Sequence, residues 1–148
     1  MTKSENGAPK AYASLRFIGD ALEPAEITLV LGTPPTIAYR KGEAYRRSRD
    51  GSKEARGRSG LWLLSTKEHV EGADLDRHLS YLLGVLFPAG GEEKIERLRT
   101  LMKTRGITAD VACFWYGKAG AQPPIIPKQV RDAFARLPAR IETDFDTD

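Results

Sequence analysis

Two histidines, one cysteine and a set of alternating carboxylates are the side chains in this 148-residue sequence that could do chemistry. His69 and His78 stand nine residues apart, one in a polar connector and one on a helical stretch, with Asp74 and Asp76 between them. Histidine and carboxylate can hold a metal or move a proton, but this spacing matches no zinc pattern. His78 immediately precedes Leu79, so it is expected at the flank of a buried stripe with its ring partly in water, a structural histidine rather than a catalytic one. Cys113 lies inside Val111-Ala112-Cys113-Phe114-Trp115-Tyr116, the most apolar strand-like run. Burial there disfavours the thiolate, so no nucleophile is expected. Glu142, Asp144 and Asp146 invite a cation, yet residues two apart on a strand stand roughly 6.6 Å apart at the backbone, which suits a solvated outer face better. No G-x-S-x-G, phosphate-loop or G-x-G-x-x-G pattern occurs. These residues assemble no catalytic group, metal site or cofactor site, and the expectation leans away from an enzyme.

Basic residues offer a different chemistry. Between Arg40 and Arg58 lie eight cations (Arg40, Lys41, Arg46, Arg47, Arg49, Lys53, Arg56, Arg58) against three acids (Glu43, Asp50, Glu54). That excess of five is larger than the formal net charge of the whole chain, +3, so the basicity belongs to one loop. With Tyr39 and Tyr45 alongside, Arg40, Lys41, Arg46, Arg47 and Arg49 could meet phosphates while the rings stack on bases. Interleaved acids and glycines, and the absence of the aromatic ribonucleoprotein pattern, make a solvated loop the favoured reading.

The elements that must position these residues are legible from periodicity. Gly60 to Phe87 is the organising stretch: a short apolar strand from Leu61 to Leu64, then a helix capped by Asp74 with Leu75, Leu79, Leu82, Leu83 and Leu86 on one stripe. Phe87-Pro88 ends it, because proline has no amide hydrogen to donate. Upstream, Tyr12 to Ile18 alternates as a half-buried strand, a short helix starts at Pro24, and Thr36 to Arg40 forms a second strand expected to pair antiparallel with the one at Leu61. Downstream, Glu92 to Arg105 reads as a helix, Val111 to Tyr116 as a central strand, Pro127 as the start of a further helix, and Ile141 to Asp148 as an edge strand with an acidic outer face. Residues 1–10 form a flexible tail and 11–148 one α+β domain, with the basic loop at 41–59 mobile. The order predicts a ferredoxin-like antiparallel sheet of about five strands with helices packed on one face.

Composition is globular, 41% hydrophobic and 29% charged, and no apolar run approaches the roughly 20 residues a membrane helix requires. The polar start shows no secretory leader, and one cysteine rules out an intrachain disulfide; the cytoplasm is the expected location.

An ordered series of motifs carries a family resemblance. Phe17-Ile18-Gly19-Asp20, Glu23-Pro24, Glu26-Ile27-Thr28, Leu31-Gly32, Pro35-Thr36, Lys41-Gly42-Glu43, Gly60-Leu61-Trp62, His78-Leu79, Leu82-Leu83, Cys113-Phe114-Trp115-Tyr116 and Asp144-Phe145-Asp146 together resemble the bacterial family of domain of unknown function 4279. The likeness runs from about Ala13 to Asp146. It implies a small cytosolic bacterial protein, usually a lone domain, with no assigned reaction and no catalytic residue to transfer.

Helices on one face leave the other face of the sheet to be explained. Arg16, Trp62, His78, Trp115 and Tyr116 are the residues expected to form a ligand or partner surface there, since exposed aromatics on contiguous strands mark such surfaces. The expected function is a non-catalytic binding or protein-interaction module; an enzyme with an unrecognised site on that face, or a phosphate or nucleic-acid binder through residues 40–58, is the alternative. The partner would be a protein, a second copy of this chain included, or a small ligand.

Overall fold

The computed structural model describes residues 10–46, 54–89 and 91–148. Nearly all of the expected tail lies outside the described residues, as do Arg47 and Arg49 and the side chain of Arg46.

The chain runs β1 (Lys10–Gly19), α1 (Pro24–Leu31), β2 (Ile37–Tyr39), β3 (Ala44–Arg46), β4 (Glu54–Arg56), β5 (Gly60–Ser65), α2 (Leu75–Leu86), α3 (Glu92–Arg105), β6 (Thr108–Gly117), α4 (Lys128–Ala135) and β7 (Ala139–Thr147). Five strands form one sheet in the order β2-β5-β1-β6-β7, while β3 and β4 make a separate two-stranded ribbon. β1 is antiparallel to both β5 and β6, and β2 pairs antiparallel with β5 as its sequence position predicts. β7, however, runs parallel to β6. The sheet is therefore mixed, a correction to the antiparallel expectation. The physical reason is the connection: α4 lies between the two strands, and a helical crossover returns the chain in the same direction.

Alternation decides which side is core. Ala11, Ala13, Leu15 and Phe17 of β1 are buried, as are Trp62 and Leu64 of β5 and Val111, Cys113 and Trp115 of β6. These join one cluster with Ile27 and Leu31 of α1, Leu75, Leu79, Leu82 and Leu86 of α2, Ile95, Leu98 and Met102 of α3, and Phe134 of α4. All four helices thus bury their apolar stripes against the same face.

Local chemistry starts and stops these helices. Pro24 is the first residue of α1, and Leu22 and Ile27 flanking its N-terminus are both buried, as a hydrophobic staple requires. Asp74 Oδ1 accepts the Asp76 N–H at 3.0 Å, capping α2. Gly32 and Gly106 end α1 and α3 in the left-handed conformation, at φ 72° and 66°. The helix expected to start at Pro127 begins one residue later: Pro127 is itself the cap, with extended ψ, so Ile126 is buried while Ile125 is 86% exposed. Gly60 is required by close approach, since a Cβ there would stand 2.7 Å from the Gly19 carbonyl oxygen.

The basic loop holds more order than expected. β3 and β4 pair through Ala44, Tyr45 and Arg46, and the Tyr45 ring stacks on Tyr39 of β2 with centroids 4.4 Å apart.

Candidate functional site

The helix-free face of the sheet is built from the opposite parity of every strand. Tyr12, Ser14, Arg16 and Ile18 come from β1, Leu61 and Leu63 from β5, Ile37 and Tyr39 from β2, Asp110, Phe114 and Tyr116 from β6, and Arg140, Glu142, Asp144 and Asp146 from β7. The register arranges them in rows across the strands. One row runs Ile37, Leu63, Arg16, Asp110, Arg140 and spans all five strands. Another runs Tyr12, Phe114, Asp144.

At the centre, Arg16 grips Asp110 in a two-pronged ion pair, Nε to Oδ1 at 2.6 Å and Nη2 to Oδ2 at 2.9 Å. The Asp110 hydrogen bond, against the opposing effect of burial, holds the Arg16 guanidinium above its ordinary pKa. Towards the upper end Tyr12 stacks on Phe114 with centroids 4.9 Å apart, and the Lys67 ammonium sits 4.2 Å from the centre of the Tyr12 ring. A groove of about 560 Å3 opens beside this stack, lined by Lys10, Tyr12, Lys67, Glu71, His78 and Phe114 among others. At the lower end a second cavity of about 580 Å3 lies between the sheet and the ribbon, walled by Ile18, Tyr39, Tyr45, Arg56, Arg58 and Leu61. Ile37, 48% exposed on the edge strand, completes an apolar margin.

Of the residues expected on this face, Arg16 and Tyr116 lie on it. Trp62 and Trp115 do not: they are 0% and 8% exposed on the helix-covered side, and the Trp62 Nε1–H donates to Thr28 Oγ1 at 3.0 Å. Their expected exposure is corrected because both share strand parity with the core positions Leu64 and Cys113. His78 is also corrected. It is 1% exposed, its Nδ1 lies 2.6 Å from Thr66 Oγ1, and its Nε2 lies 2.8 Å from the Gly72 carbonyl oxygen. A carbonyl can only accept, so Nε2 carries the hydrogen and Nδ1 accepts from the Thr66 hydroxyl. Both nitrogens are engaged, and the ring reaches the upper groove only as part of its wall.

His69 stacks on Tyr81 instead, and among the described residues no cluster of three or more His, Cys, Asp or Glu side chains is placed to hold a metal ion. Cys113 is buried, and desolvation pushes its thiol up to about 11. In the basic segment Arg40 Nε donates to Glu23 Oε2 at 2.7 Å, and that bond raises the guanidinium pKa. Lys41 Nζ donates to Asp20 Oδ2 at 3.1 Å; hydrogen bonds from Ser59 and Lys41 hold the Asp20 carboxyl below the usual carboxylate range. Two of the cations expected to meet phosphate are therefore occupied by local acids. Tyr12, Phe114, Lys67 and Asp110 also belong to the face. Tyr12 was signalled by its parity opposite Leu15; Asp110 had no signal until register set it beside Arg16.

Fold and face together define an α+β protein with a five-stranded mixed sheet, four helices over one side and the other side uncovered by any helix of the described residues. Residues 9–148 match the family model described as Domain of unknown function (DUF4279), and the chain belongs to that family. No curated protein and no solved structure matches the chain.

Proposed function

We propose that the protein is a non-catalytic interaction module and that the helix-free sheet face is its docking surface. The supporting observation is the composition of that face: half-exposed Tyr12, Phe114, Tyr116, Leu61 and Leu63 and exposed Ile37 surround the Arg16–Asp110 pair. An aromatic and aliphatic centre with one well-formed charged pair and a polar rim is the anatomy of protein-binding surfaces. The reactive side chains lean the same way, since Cys113 is buried with a raised pKa and both His78 nitrogens are hydrogen-bonded. In this reading residues 11–148 act as one domain, the four antiparallel strands β2, β5, β1 and β6 form a ferredoxin-like unit extended by β7, and the protein works in the cytoplasm, where a lone thiol persists.

The test is capture of binding proteins by the tagged chain and by three variants. Ile37→Glu and Tyr116→Glu place charge on the docking face, while Leu29→Glu alters an α1 residue that is 78% exposed on the helix side. Binding retained by Leu29→Glu and lost by the two face variants is the expected result. Retention by the face variants, with correct folding, overturns the proposal.

A further inference from the structure

We propose that the cavity between the sheet and the β3–β4 ribbon binds a small phosphorylated ligand that carries a planar ring, with the size and chemistry of a mononucleotide. The site goes beyond the docking-surface reading and does not depend on it.

Charge selects an anion. Among the described residues, the wall of this cavity of about 580 Å3 carries Arg56 and Arg58 and no carboxylate. Two guanidiniums offer parallel N–H donors in planar forks, the geometry that matches a phosphate group. The acids of the surrounding segment are engaged elsewhere. Glu23 accepts from Arg40 at 2.7 Å, and Asp20 accepts from Lys41 at 3.1 Å and from the Ser59 hydroxyl at 2.9 Å. Glu43 accepts the Arg40 backbone N–H at 2.7 Å. None of these three carboxylates lines the cavity. The upper groove is different, because Glu71 shares its lining with Lys10 and Lys67 and repels an anion there.

Backbone contacts hold the two arginines in place before any ligand arrives. Gly57, between them, is buried, and a Cβ there would stand 2.6 Å from the Tyr39 ring, so the chain lies flat on that ring. The Gly57 N–H donates to the Glu43 carbonyl at 3.0 Å, and the Gly57 carbonyl accepts from the Gly42 N–H at 2.8 Å. Arg56 Nη1 donates to the Gly42 carbonyl at 2.9 Å, which fixes its side chain at the wall. Such preorganisation lowers the ordering cost of binding.

The remaining walls suit a ring. Ile18 and Leu61 supply aliphatic contact from the sheet, and the stacked pair of Tyr39 and Tyr45 supplies aromatic contact. No described residue of β3 or β4 joins the hydrophobic core cluster, so what the ribbon adds to the fold is this enclosure. A cavity of this volume lies within the roughly 300–1,000 Å3 of small-molecule sites. Sheet on one side and ribbon on the other favour a free small molecule over a phosphate within a nucleic-acid chain.

The test is titration of AMP, GMP, CMP and UMP, each alone, into the isotope-labelled full chain, with amide signals followed by NMR. At least one nucleotide should shift the Gly57, Ser59 and Gly60 signals with a Kd of about 1 mM or tighter, and more weakly as salt is raised. Inorganic phosphate should bind the same signals about tenfold more weakly, since it makes no ring contact. Arg56→Gln and Arg58→Gln should each weaken the nucleotide about tenfold, because each removes a charge-assisted contact. Tyr45→Ala should weaken the nucleotide and leave inorganic phosphate unchanged, and Lys67→Gln in the upper groove should alter neither. Silence of the cavity signals with all four nucleotides, or full affinity in both arginine variants, overturns the proposal. So does inorganic phosphate binding as tightly as the nucleotide, or a single-stranded oligonucleotide binding more than about tenfold tighter than any of the four. The docking surface is decided separately by Ile37→Glu and Tyr116→Glu, since neither residue lines this cavity.

Discussion

Thr66 Oγ1 accepts the Ala13 backbone N–H at 2.9 Å and lies 2.6 Å from His78 Nδ1. Hydrogen bonds therefore pass without a break from the central strand, through the residue that follows β5, to α2 and on to the Gly72 carbonyl in the connector. Ala13, Thr66 and His78 are buried while the Gly72 end is only part-buried, and among the described residues no buried side-chain nitrogen or oxygen lacks a partner.

Removing the imidazole breaks two of those bonds at once. His78→Ala opens a cavity and strands the buried Thr66 hydroxyl, which together should cost about 2–4 kcal/mol. Leu82→Ala, at a position with no exposure in the same core, should cost about 2–5 kcal/mol. Urea unfolding curves should thus show comparable losses for the two variants. A loss below about 1 kcal/mol for His78→Ala would show that the relay contributes little.

Periodicity placed the helices because a helical stripe needs only its own residues to declare itself. Leu75, Leu79, Leu82 and Leu86 are all buried, and Asp74 caps the helix they line. The same stripe misled at His78, whose ring is drawn inward by two acceptor and donor groups on other segments, Thr66 and Gly72. Strands were legible as strands, and β7 as an edge with carboxylates outward. Which face of β5 and β6 points inward was not, since Gly60-Leu61-Trp62-Leu63-Leu64 and Val111 to Tyr116 are apolar on both sides. Register settles it by setting Trp62 opposite Phe17 and Trp115 opposite Ala11. The Arg16–Asp110 pair joins residues 94 apart in the chain, and no local pattern encodes such a meeting.

Cys113 should titrate late. Its folded pKa of about 11 lies above its ordinary value of 9.0, so the folded protein keeps the thiol proton while the unfolded chain releases it. The folded state then binds more protons between about pH 9 and 11, and stability falls as pH rises through that window. Cys113→Ala should flatten this part of the pH–stability curve. Native protein at pH 8 should also resist thiol reagents until it is unfolded, and rapid labelling without unfolding would contradict the burial.

The ribbon of β3 and β4 meets the sheet mainly through the Tyr39–Tyr45 stack and the cavity wall around it. Such a stack contributes about 0.5–1.5 kcal/mol beyond its buried area. Replacing residues 44–56 with a short glycine-rich turn should therefore lower the thermal midpoint by only a few degrees and leave unfolding cooperative. Loss of cooperativity would mean that the ribbon is part of the core fold. Tyr45→Ala should reproduce most of the effect of the deletion.

Arg16 and Asp110 face each other in the middle row of the sheet, with 32% and 15% of their side chains exposed. Arg16→Ala leaves a part-buried carboxylate without its fork, and Asp110→Ala leaves a part-buried guanidinium; each should cost about 1–3 kcal/mol. The double variant should cost less than the sum of the two, with a coupling of about 1 kcal/mol measured by a double-mutant cycle. Arg16→Lys tests geometry apart from charge. A lysine keeps the sign but offers one ammonium in place of two parallel N–H donors, so it should recover only part of the loss. Equal stability of Arg16→Lys and wild type would show that the pair acts through charge alone, and strict additivity of the two alanine variants would show that the two side chains do not act as a pair.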